Sequence, residues 1–448
     1  MSSLQLKKVL SLRTVVATSA GLTFASASFV AAVQVANYMA GESAWLAILI
    51  GGLLCLTAAS CFSELNGALP SAAGIRLYFS RAFNERMSLT ISILYMVVIL
   101  GVIGAESYVL ASVFKEALPG ITPVLWIILL LAVVTVMNIR GIKIAGAFQD
   151  LITYGLTLSL IVIAGIALFK VNFQLEAPLY PGSIVGVVNA VAVGVFLFVG
   201  FEWVTPLAEE VTDNKLISKG MYLAIGLLSV TYALVTVAMT ASVPKELLSA
   251  SAAPHILFAR EILGNSGLIG MLLLSLAASV TTFNAGLISV SRFMYASARE
   301  HVLPKVFSKV SIRYFTPYIA IWTLFAIGLV ISVVVLLTGR YMMLVNMAAA
   351  MESIVYALAG LAVIRLRKKE PELARNYRVK GGNVIPWLAC IIFSVLVLAV
   401  LITNPPVFIY LLCGFGICFL YVNKVVPRLK KKYTKQRRTR KRTARRET

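Results

Sequence analysis

Charged side chains are scarce in this chain, and their scarcity determines its broad class. Only 13% of the residues are charged, whereas 60% are apolar or aromatic and the mean hydropathy is +0.91. Soluble domains contain about 25% charged and about 45–50% apolar residues, and a water-exposed surface does not hold this much apolar area. The composition therefore excludes an ordinary soluble enzyme, a disordered chain and a nucleic-acid-binding domain, and it predicts an integral membrane protein.

Residues that commonly carry covalent or metal chemistry are also few. The chain has 2 His and 5 Cys, and every cysteine lies in an apolar run without a CxxC pair. There is no Ser/His/Asp set, no His/Cys cluster with metal-ligand spacing and no phosphate-binding glycine loop. We therefore predict that the chain is not an enzyme and has no cofactor. We also predict no metal centre, apart from the small-cation site considered below.

Long apolar runs, in contrast, fill most of the chain. A membrane helix needs about 20 mostly apolar residues to cross the hydrocarbon. Twelve segments meet this requirement: 14–38, 43–65, 88–114, 121–138, 149–169, 184–208, 219–242, 267–298, 315–338, 341–364, 384–403 and 406–423. The sequence therefore predicts an all-α integral membrane protein with twelve transmembrane helices.

The distribution of Lys and Arg predicts the orientation of these spans. With the N-terminus inside, 35 of the 40 basic residues fall on the inner side and five fall in outer loops. Basic residues concentrate on the cytoplasmic side of a membrane, so both termini are predicted to be cytoplasmic. The basic segment 424–448 is too charged to pack, and we predict a disordered arm that contacts membrane lipid and does not bind nucleic acid.

Two spans contain features that a lipid-facing helix avoids. The first has a run of small residues, and the sixth has a Gly, a carboxylate and a Pro within seven residues. Small residues also serve close helix packing, but irregular backbone at membrane depth is tolerated only inside protein or beside a cavity. Interrupted segments in corresponding places of two halves point to a transporter's binding site. The candidate substrate-binding residues are Ala25, Ser26, Ala27, Ser28, Phe201 and Glu202.

Acidic residues deep inside a span are rare enough to be informative. Of 18 acids, only Glu106, Glu202 and Glu352 lie well within one. A charge at this depth costs at least about 2.5 kcal/mol, so each is a functional-site hypothesis. Glu106 and Glu352 are therefore candidates for ion coupling or for the vestibule, and a hydrogen-bonded structural acid is the alternative for both.

Span eight carries hydroxyl groups that have two interpretations. Ser279, Thr281 and Thr282 lie at membrane depth, where hydroxyls usually bond the preceding turn of their own helix. Together with opened carbonyls of span one, they instead form a candidate Na⁺ site, because oxygen ligands suit a hard cation. Thr281 and Thr282 are therefore also coupling candidates.

Four motifs follow one another along the spans. They are Ser63-Glu64-Leu65 with Pro70, Gly74 and Tyr78; Gly200-Phe201-Glu202 with Ala208-Glu209-Glu210-Val211; Ser291-Arg292 with Tyr295, Ala298-Arg299 and Leu303-Pro304-Lys305; and Arg367-Lys368-Lys369-Glu370-Pro371-Glu372 with Tyr377-Arg378-Val379. Over residues 10–423 the chain thereby resembles the amino acid–polyamine–organocation permease superfamily.

This resemblance implies a leucine-transporter-like fold with a 5+5 inverted repeat. The implied organisation is a cytoplasmic N-terminus (1–13), a first five-helix repeat (14–169), a second repeat (184–364), two further helices (384–423) and the basic tail (424–448). It also implies secondary active transport of amino acids or related organic amines across the cell membrane by alternating access. The substrate is expected between the opened middles of spans one and six.

The resemblance is incomplete at two positions. The family's usual span-one motif has glycines where this chain has Ala25 and Ala27, and the added methyl groups restrict positive φ. Close recognition of a substrate carboxylate is therefore less expected, while Ser26 and Ser28 add hydroxyl donors. Some proton-coupled relatives carry a lysine in span five where alignment places Leu156, so a lysine-based proton switch is not expected.

The sequence leaves the solute and the coupling open. The solute is either an amino acid or a cationic amine of the polyamine or ethanolamine type, and the transport is H⁺-coupled, Na⁺-coupled or an exchange. A membrane sensor that binds a solute without transporting it is a more distant alternative.

Overall fold

The computed structural model describes residues 6–38, 44–117, 120, 122–172, 184–251 and 253–432. Within these residues all regular secondary structure is helical, and the only β-pairing is an isolated bridge between Leu10 and Val211. Eleven helices in this part of the chain are long and apolar enough to cross a membrane. The all-α membrane fold is therefore confirmed, and the count of twelve crossings stays a prediction.

The helices follow the predicted spans with few interruptions. The α-helices are α1 (Leu12–Thr23), α2 (Ser26–Tyr38), α3 (Ala44–Ala68), α4 (Ile75–Ala82), α5 (Glu85–Ala117), α6 (Pro123–Arg140), α7 (Ile142–Lys170), α8 (Ile184–Phe196), α9 (Lys215–Ser242), α10 (Lys245–Ala250), α11 (Pro254–Arg299), α12 (Tyr318–Thr338), α13 (Tyr341–Lys369), α14 (Val384–Thr403) and α15 (Pro405–Lys424). Two 3₁₀-helices cover Phe201–Glu209 and Lys305–Ser308.

The first and sixth predicted spans are each divided into two parts. The first consists of α1 and α2, which have 12 and 13 residues and are separated at Phe24 and Ala25. The sixth consists of α8, with 13 residues, and the 3₁₀-helix Phe201–Glu209. Each part is shorter than the about 20 residues that a continuous crossing requires, so both spans are broken between their ends.

The parts that precede and follow these breaks come together at one end of the bundle. The backbone N–H groups of Val9 and Leu10 donate to Glu210 O at 2.8 and 3.0 Å, and Thr212 N–H donates to Leu10 O at 3.2 Å. These bonds join the start of the first span to the end of the sixth. We call this end of the helix bundle the N-terminal end.

The eighth span is longer than the sequence predicts. It begins at Pro254 instead of residue 267, and it bends at Gly264, whose φ of 60° and ψ of −141° are not helical. His255 consequently lies in a helix, whereas the predicted spans 219–242 and 267–298 leave it in the loop between them. It is fully buried, stacks on Phe29 at 4.9 Å and hydrogen-bonds Ser275 at 2.9 Å, because the arm before Gly264 folds back onto α2.

The beginning of the predicted disordered tail is ordered. Residues 426–432 are helical, and Val422 and Val426 pack with Leu89 and Val302 in a small buried cluster. These two valines supply apolar contacts that the charge count alone did not reveal. Residues 433–448 lie outside the described residues.

Candidate functional site

The break in the first span frees backbone carbonyls, and polar side chains from three elements bind them. Thr23 O accepts hydrogen bonds from Ser28 Oγ at 3.0 Å and from Tyr232 Oη at 2.7 Å. Phe24 O accepts a bond from Thr282 Oγ1 at 2.8 Å. A helix end buried without partners would be unstable, so these contacts stabilise the opened backbone.

The predicted substrate residues of span one lie directly after this break. Ser26 begins α2, and the Ser28 N–H already donates to Ala25 O at 2.9 Å. Ala25 is buried beside Val109, whereas the side chains of Ser26 and Ala27 lie outside the described residues. The first turn of α2 therefore directs free backbone N–H groups and the positive end of its dipole toward the break.

The break in the sixth span depends on a glycine. Gly200 has φ of 105°, which L side chains rarely adopt, and a Cβ there would lie 2.7 Å from Leu22 Cδ2 of α1. The carbonyl of the next residue, Phe201, accepts a hydrogen bond from Ser19 Oγ of α1 at 2.8 Å. The break of the sixth span therefore lies against α1, just before the point where the first span is broken.

Phe201 and Glu202, the two predicted site residues of span six, are both fully buried. The Phe201 ring packs between Phe62 and Tyr356, with centroid distances of 6.4 and 5.2 Å. Glu202 accepts hydrogen bonds from Tyr95 at Oε1 and from Tyr356 at Oε2, the latter at 2.7 Å. Both carboxylate oxygens of Glu202 are thus engaged by phenol groups.

The structure brings Glu352 to the same break, although it lies on α13. Its Oε1 accepts a hydrogen bond from Gly200 N–H at 2.6 Å and also lies within hydrogen-bonding distance of Tyr356 Oη. The sequence placed Glu352 in the middle of a span but gave no sign of which helix it faces. Glu352 and Glu202 therefore surround Gly200 and Tyr356 from two different helices.

Glu106 faces a different part of the site. It is fully buried on α5 and accepts a hydrogen bond from Ser279 Oγ of α11 at 2.5 Å. Ser279 Oγ also contacts its own helix at Ser275 O, at 3.1 Å. This hydroxyl therefore bonds both a helical carbonyl and a buried carboxyl group.

The hydroxyl of Thr281 contacts an amide side chain that the sequence analysis did not single out. Gln149 Nε2 of α7 donates to Thr281 Oγ1 and to Ala17 O, the latter at 3.2 Å. Thr153 Oγ1 lies 2.9 Å from the same hydroxyl. A Cβ on Gly21 would lie 1.8 Å from Gln149 Nε2. Gln149 and Thr153 thus form the α7 side of the candidate Na⁺ site, and the amide nitrogen of Gln149 is a donor and not a cation ligand.

Several acids of the four motifs form ion pairs near the N-terminal end. Arg292 binds Glu210 at 2.8 Å with both side chains fully buried. Arg299 binds Glu209 at 2.6 Å, and Glu64 binds Arg367 at 2.5 Å. The motifs thus supply charge pairs that connect α3, α11, α13 and the segment after the sixth break. Sequence reasoning found the motifs but not these pairings.

Two facing broken helices with buried carboxyl groups define the class of this protein. Irregular backbone inside a membrane bundle is typical of the solute sites of secondary transporters. The protein is therefore a multi-pass membrane transporter and not an enzyme. A solved structure agrees with this fold: a Na⁺-coupled sialic acid symporter, in a substrate-bound outward-open state, aligns with a TM-score of 0.57 and 14% identity, over 90% of this chain and 91% of that chain.

Sequence relatives identify the family. The sequence model described as amino acid permease matches residues 10–425, and the chain belongs to the amino acid permease family. The branched-chain amino acid permease BcaP of Bacillus subtilis (strain 168) is 25% identical over 411 residues, covering 86% of this chain and 87% of the relative. The methylthioribose transporter of the same organism is 25% identical over 391 residues, covering 82% of each.

Proposed function

We propose that this chain transports neutral amino acids across the cell membrane by alternating access, with the solute between the breaks of the first and sixth spans. The observation that carries the proposal is the approach of these breaks, shown by Ser19 Oγ and Phe201 O at 2.8 Å. A fixed site between two broken helices, opened to each side in turn, is the arrangement that alternating access requires. The name of BcaP supports an amino acid as the solute.

The contacts around the breaks favour a zwitterion over a cationic amine. The N-terminus of α2 offers backbone N–H groups and a positive dipole end, which suit a solute carboxylate. A cationic solute in a low-dielectric pocket needs an unengaged carboxylate. Glu202 instead accepts hydrogen bonds at both oxygens, and Glu106 accepts one from Ser279. Glu352 is engaged at Oε1 by Gly200 and Tyr356, and its Oε2 is buried inside the bundle. We accordingly assign the solute carboxylate to the Ser26 and Ala27 backbone and the solute side chain to the region near Phe201.

The orientation that we propose has the N-terminal end of the bundle in the cytoplasm. The basic residues that we assigned to the inner side include Arg292, Arg299 and Arg367, which form their ion pairs near this end. Because basic residues favour the cytoplasmic side, this end is expected to face the cytoplasm of the cell.

A counterflow assay tests the function. The full chain is reconstituted in sealed vesicles preloaded with L-leucine, L-serine, L-lysine, putrescine or methylthioribose, and entry of the labelled form of each is measured. We expect counterflow of L-leucine or L-serine and none of L-lysine or putrescine. Replacing Na⁺ by choline is expected to leave the rate unchanged, because Thr281 Oγ1 is engaged by Gln149.

Three results would contradict this proposal in different ways. Saturable binding without counterflow of any solute would indicate a sensor. Counterflow of putrescine or L-lysine alone would indicate a cationic-amine transporter. A counterflow rate that depends strongly on Na⁺ would indicate Na⁺-coupled transport through the hydroxyl site of Ser279, Thr281 and Thr282.

A further inference from the structure

Glu202 and Glu352 form an acid pair that lies deep inside the bundle. Their exposed fractions are 0% and 1%. Both contact the hydroxyl of Tyr356, and Tyr95 contacts Glu202 as well. No Lys, Arg or His forms an ion pair with either acid among the described residues. The pair therefore has no cation to balance two negative charges.

The contacts of Tyr356 require a proton on this pair. A phenol group has one hydrogen to donate, yet Tyr356 Oη lies at hydrogen-bonding distance from Glu202 Oε2 and from Glu352 Oε1. It donates to one carboxylate, so the other contact needs a carboxyl hydrogen directed at the phenol oxygen. Two carboxylates that share a buried site do not both ionise. At least one of the two acids is therefore protonated.

One carboxyl oxygen of the pair is available to bind a further proton. Glu352 Oε2 is buried and has no hydrogen-bond partner in the described part of the chain. The other titratable groups that act on the pair are Tyr95 on α5, Tyr356 on α13 and Cys55 on α3. All three groups are neutral when protonated, so they can donate hydrogen bonds but cannot neutralise the pair by charge.

A small cavity lies beside Tyr95, the phenol that bonds Glu202. It measures about 10 Å³ and is lined by Tyr95 together with Ser92, Trp203 and Thr205. The side-chain polar atoms of the last three are buried without a hydrogen-bond partner of good geometry within the described residues. A volume of about 10–15 Å³ with several polar neighbours is enough for one water molecule. A water in this cavity would lie beside the Tyr95 phenol that bonds Glu202.

We propose that Glu202 and Glu352 share one proton permanently and bind a second, transported proton in each cycle, which makes this chain a proton–solute symporter. The proposal rests on the transport function given above. On the outer side the singly protonated pair takes H⁺ from solution, and its remaining carboxylate becomes a carboxyl group. On the inner side that carboxyl O–H bond breaks, and H⁺ leaves by the reverse reaction. No other reactant is consumed.

The same geometry explains how the proton is linked to the solute. Glu352 Oε1 holds the Gly200 N–H at the break of the sixth span. A carboxylate accepts a hydrogen bond from a backbone N–H more strongly than a neutral carboxyl does. Protonation of the pair therefore weakens the contact that fixes Gly200, next to the Phe201 position assigned to the solute. Glu352 acts on the solute through Gly200 and is a positioning residue.

An imposed pH gradient tests this proposal in the full reconstituted chain. The labelled solute is the amino acid that gives the largest counterflow in the assay described above. The membrane potential is clamped with K⁺ and valinomycin, and entrapped pyranine reports proton entry. In the unmodified chain, an acidic exterior is expected to raise accumulation at least about tenfold over symmetric pH, equivalent to about 1.4 kcal/mol, with solute-dependent acidification inside.

The key variant is Glu352→Gln, which imitates the protonated acid and retains an oxygen for the Gly200 N–H. It is expected to lose the gradient response and the pyranine signal, and any counterflow that remains is expected to be independent of the external pH. Glu261→Gln, at an exposed acid of α11, is the matched control and is expected to respond as the unmodified chain does. Tyr356→Phe keeps both acids but removes the phenol between them, and it is expected to shift the pH dependence of uptake.

The possible results test the proton pair and the transport function separately. Counterflow without a gradient response in the unmodified chain would overturn the proton pair and leave the transport function intact. A normal gradient response in Glu352→Gln would also overturn it. If Glu352→Gln fails to fold, an unshifted pH profile in Tyr356→Phe would overturn it. No counterflow of any panel solute by the unmodified chain would overturn the transport function itself.

Discussion

Replacing Gly200 by Ala is expected to reduce transport at least about tenfold, because the substitution acts on the break itself in two ways. The φ of 105° at this position disfavours any residue with a Cβ, and the added atom would lie 2.7 Å from Leu22 Cδ2. A left-handed conformation alone costs a non-glycine residue about 1–2 kcal/mol. Relief of this strain and of the contact with Leu22 is expected to displace the break, and a transport barrier raised by about 1.4 kcal/mol corresponds to the tenfold loss. Initial uptake rates, corrected for the amount of folded protein, measure it.

Gly226→Ala is the matched control for this substitution. Gly226 lies within α9, and a Cβ there would meet nothing within 4 Å. Alanine also favours a helix over glycine by about 1 kcal/mol, so the control is expected to transport at the normal rate. Equal rates for Gly200→Ala and Gly226→Ala would show that the transport cycle does not depend on the geometry at Gly200.

Replacing Arg292 by Met is expected to lower the free energy of unfolding by about 3–5 kcal/mol, because it leaves a buried charge without its partner. Arg292 and Glu210 are both fully buried and lie 2.8 Å apart. Glu210 O also accepts the backbone bonds from Val9 and Leu10. Loss of the pair is therefore expected to loosen the junction between the first and sixth spans at the N-terminal end. Equilibrium unfolding in mixed micelles measures the change.

Two further variants separate this effect from the simple loss of an arginine. In Arg81→Met the disrupted pair is exposed, since the Arg81 and Glu370 side chains are 47% and 23% accessible. The Arg81 hydrogen bond lowers the pKa of Glu370, but exposed pairs contribute only about 0–1 kcal/mol. Glu210→Met added to Arg292→Met is expected to recover much of the loss. Equal destabilisation by Arg292→Met and Arg81→Met would contradict the account.

The broken spans could be predicted because their residues carry local information. A Gly, an acid and a Pro within seven residues are features that a lipid-facing helix avoids, and the structure does break the sixth span at Gly200. The first break lies at Phe24 and Ala25, at the front edge of the small-residue run 25–28. A hydropathy pattern reports depth in the membrane, and the Gly and Pro residues within a span indicate where its backbone is irregular.

The partners of the buried polar groups could not be predicted in this way. Glu202 and Glu352 are 150 positions apart, and a hydropathy pattern does not show that their helices bring them to the same phenol. Gln149 and Thr281 are likewise joined only by the packing of α7 against α11. His255 was assigned to a loop because a short arm ending at Gly264 is too small to give a spanning pattern. Side-chain pairing across a bundle depends on helix rotation, which the sequence pattern leaves free.

The most direct test of the central claim is an experimental density map of the chain in lipid, recorded with a neutral amino acid that it transports. The account predicts density for the solute between the breaks, with its carboxylate against the backbone at the start of α2 and its side chain near Phe201. Density for the solute at any other place, or continuous helices through residues 12–38 and 184–209, would contradict it.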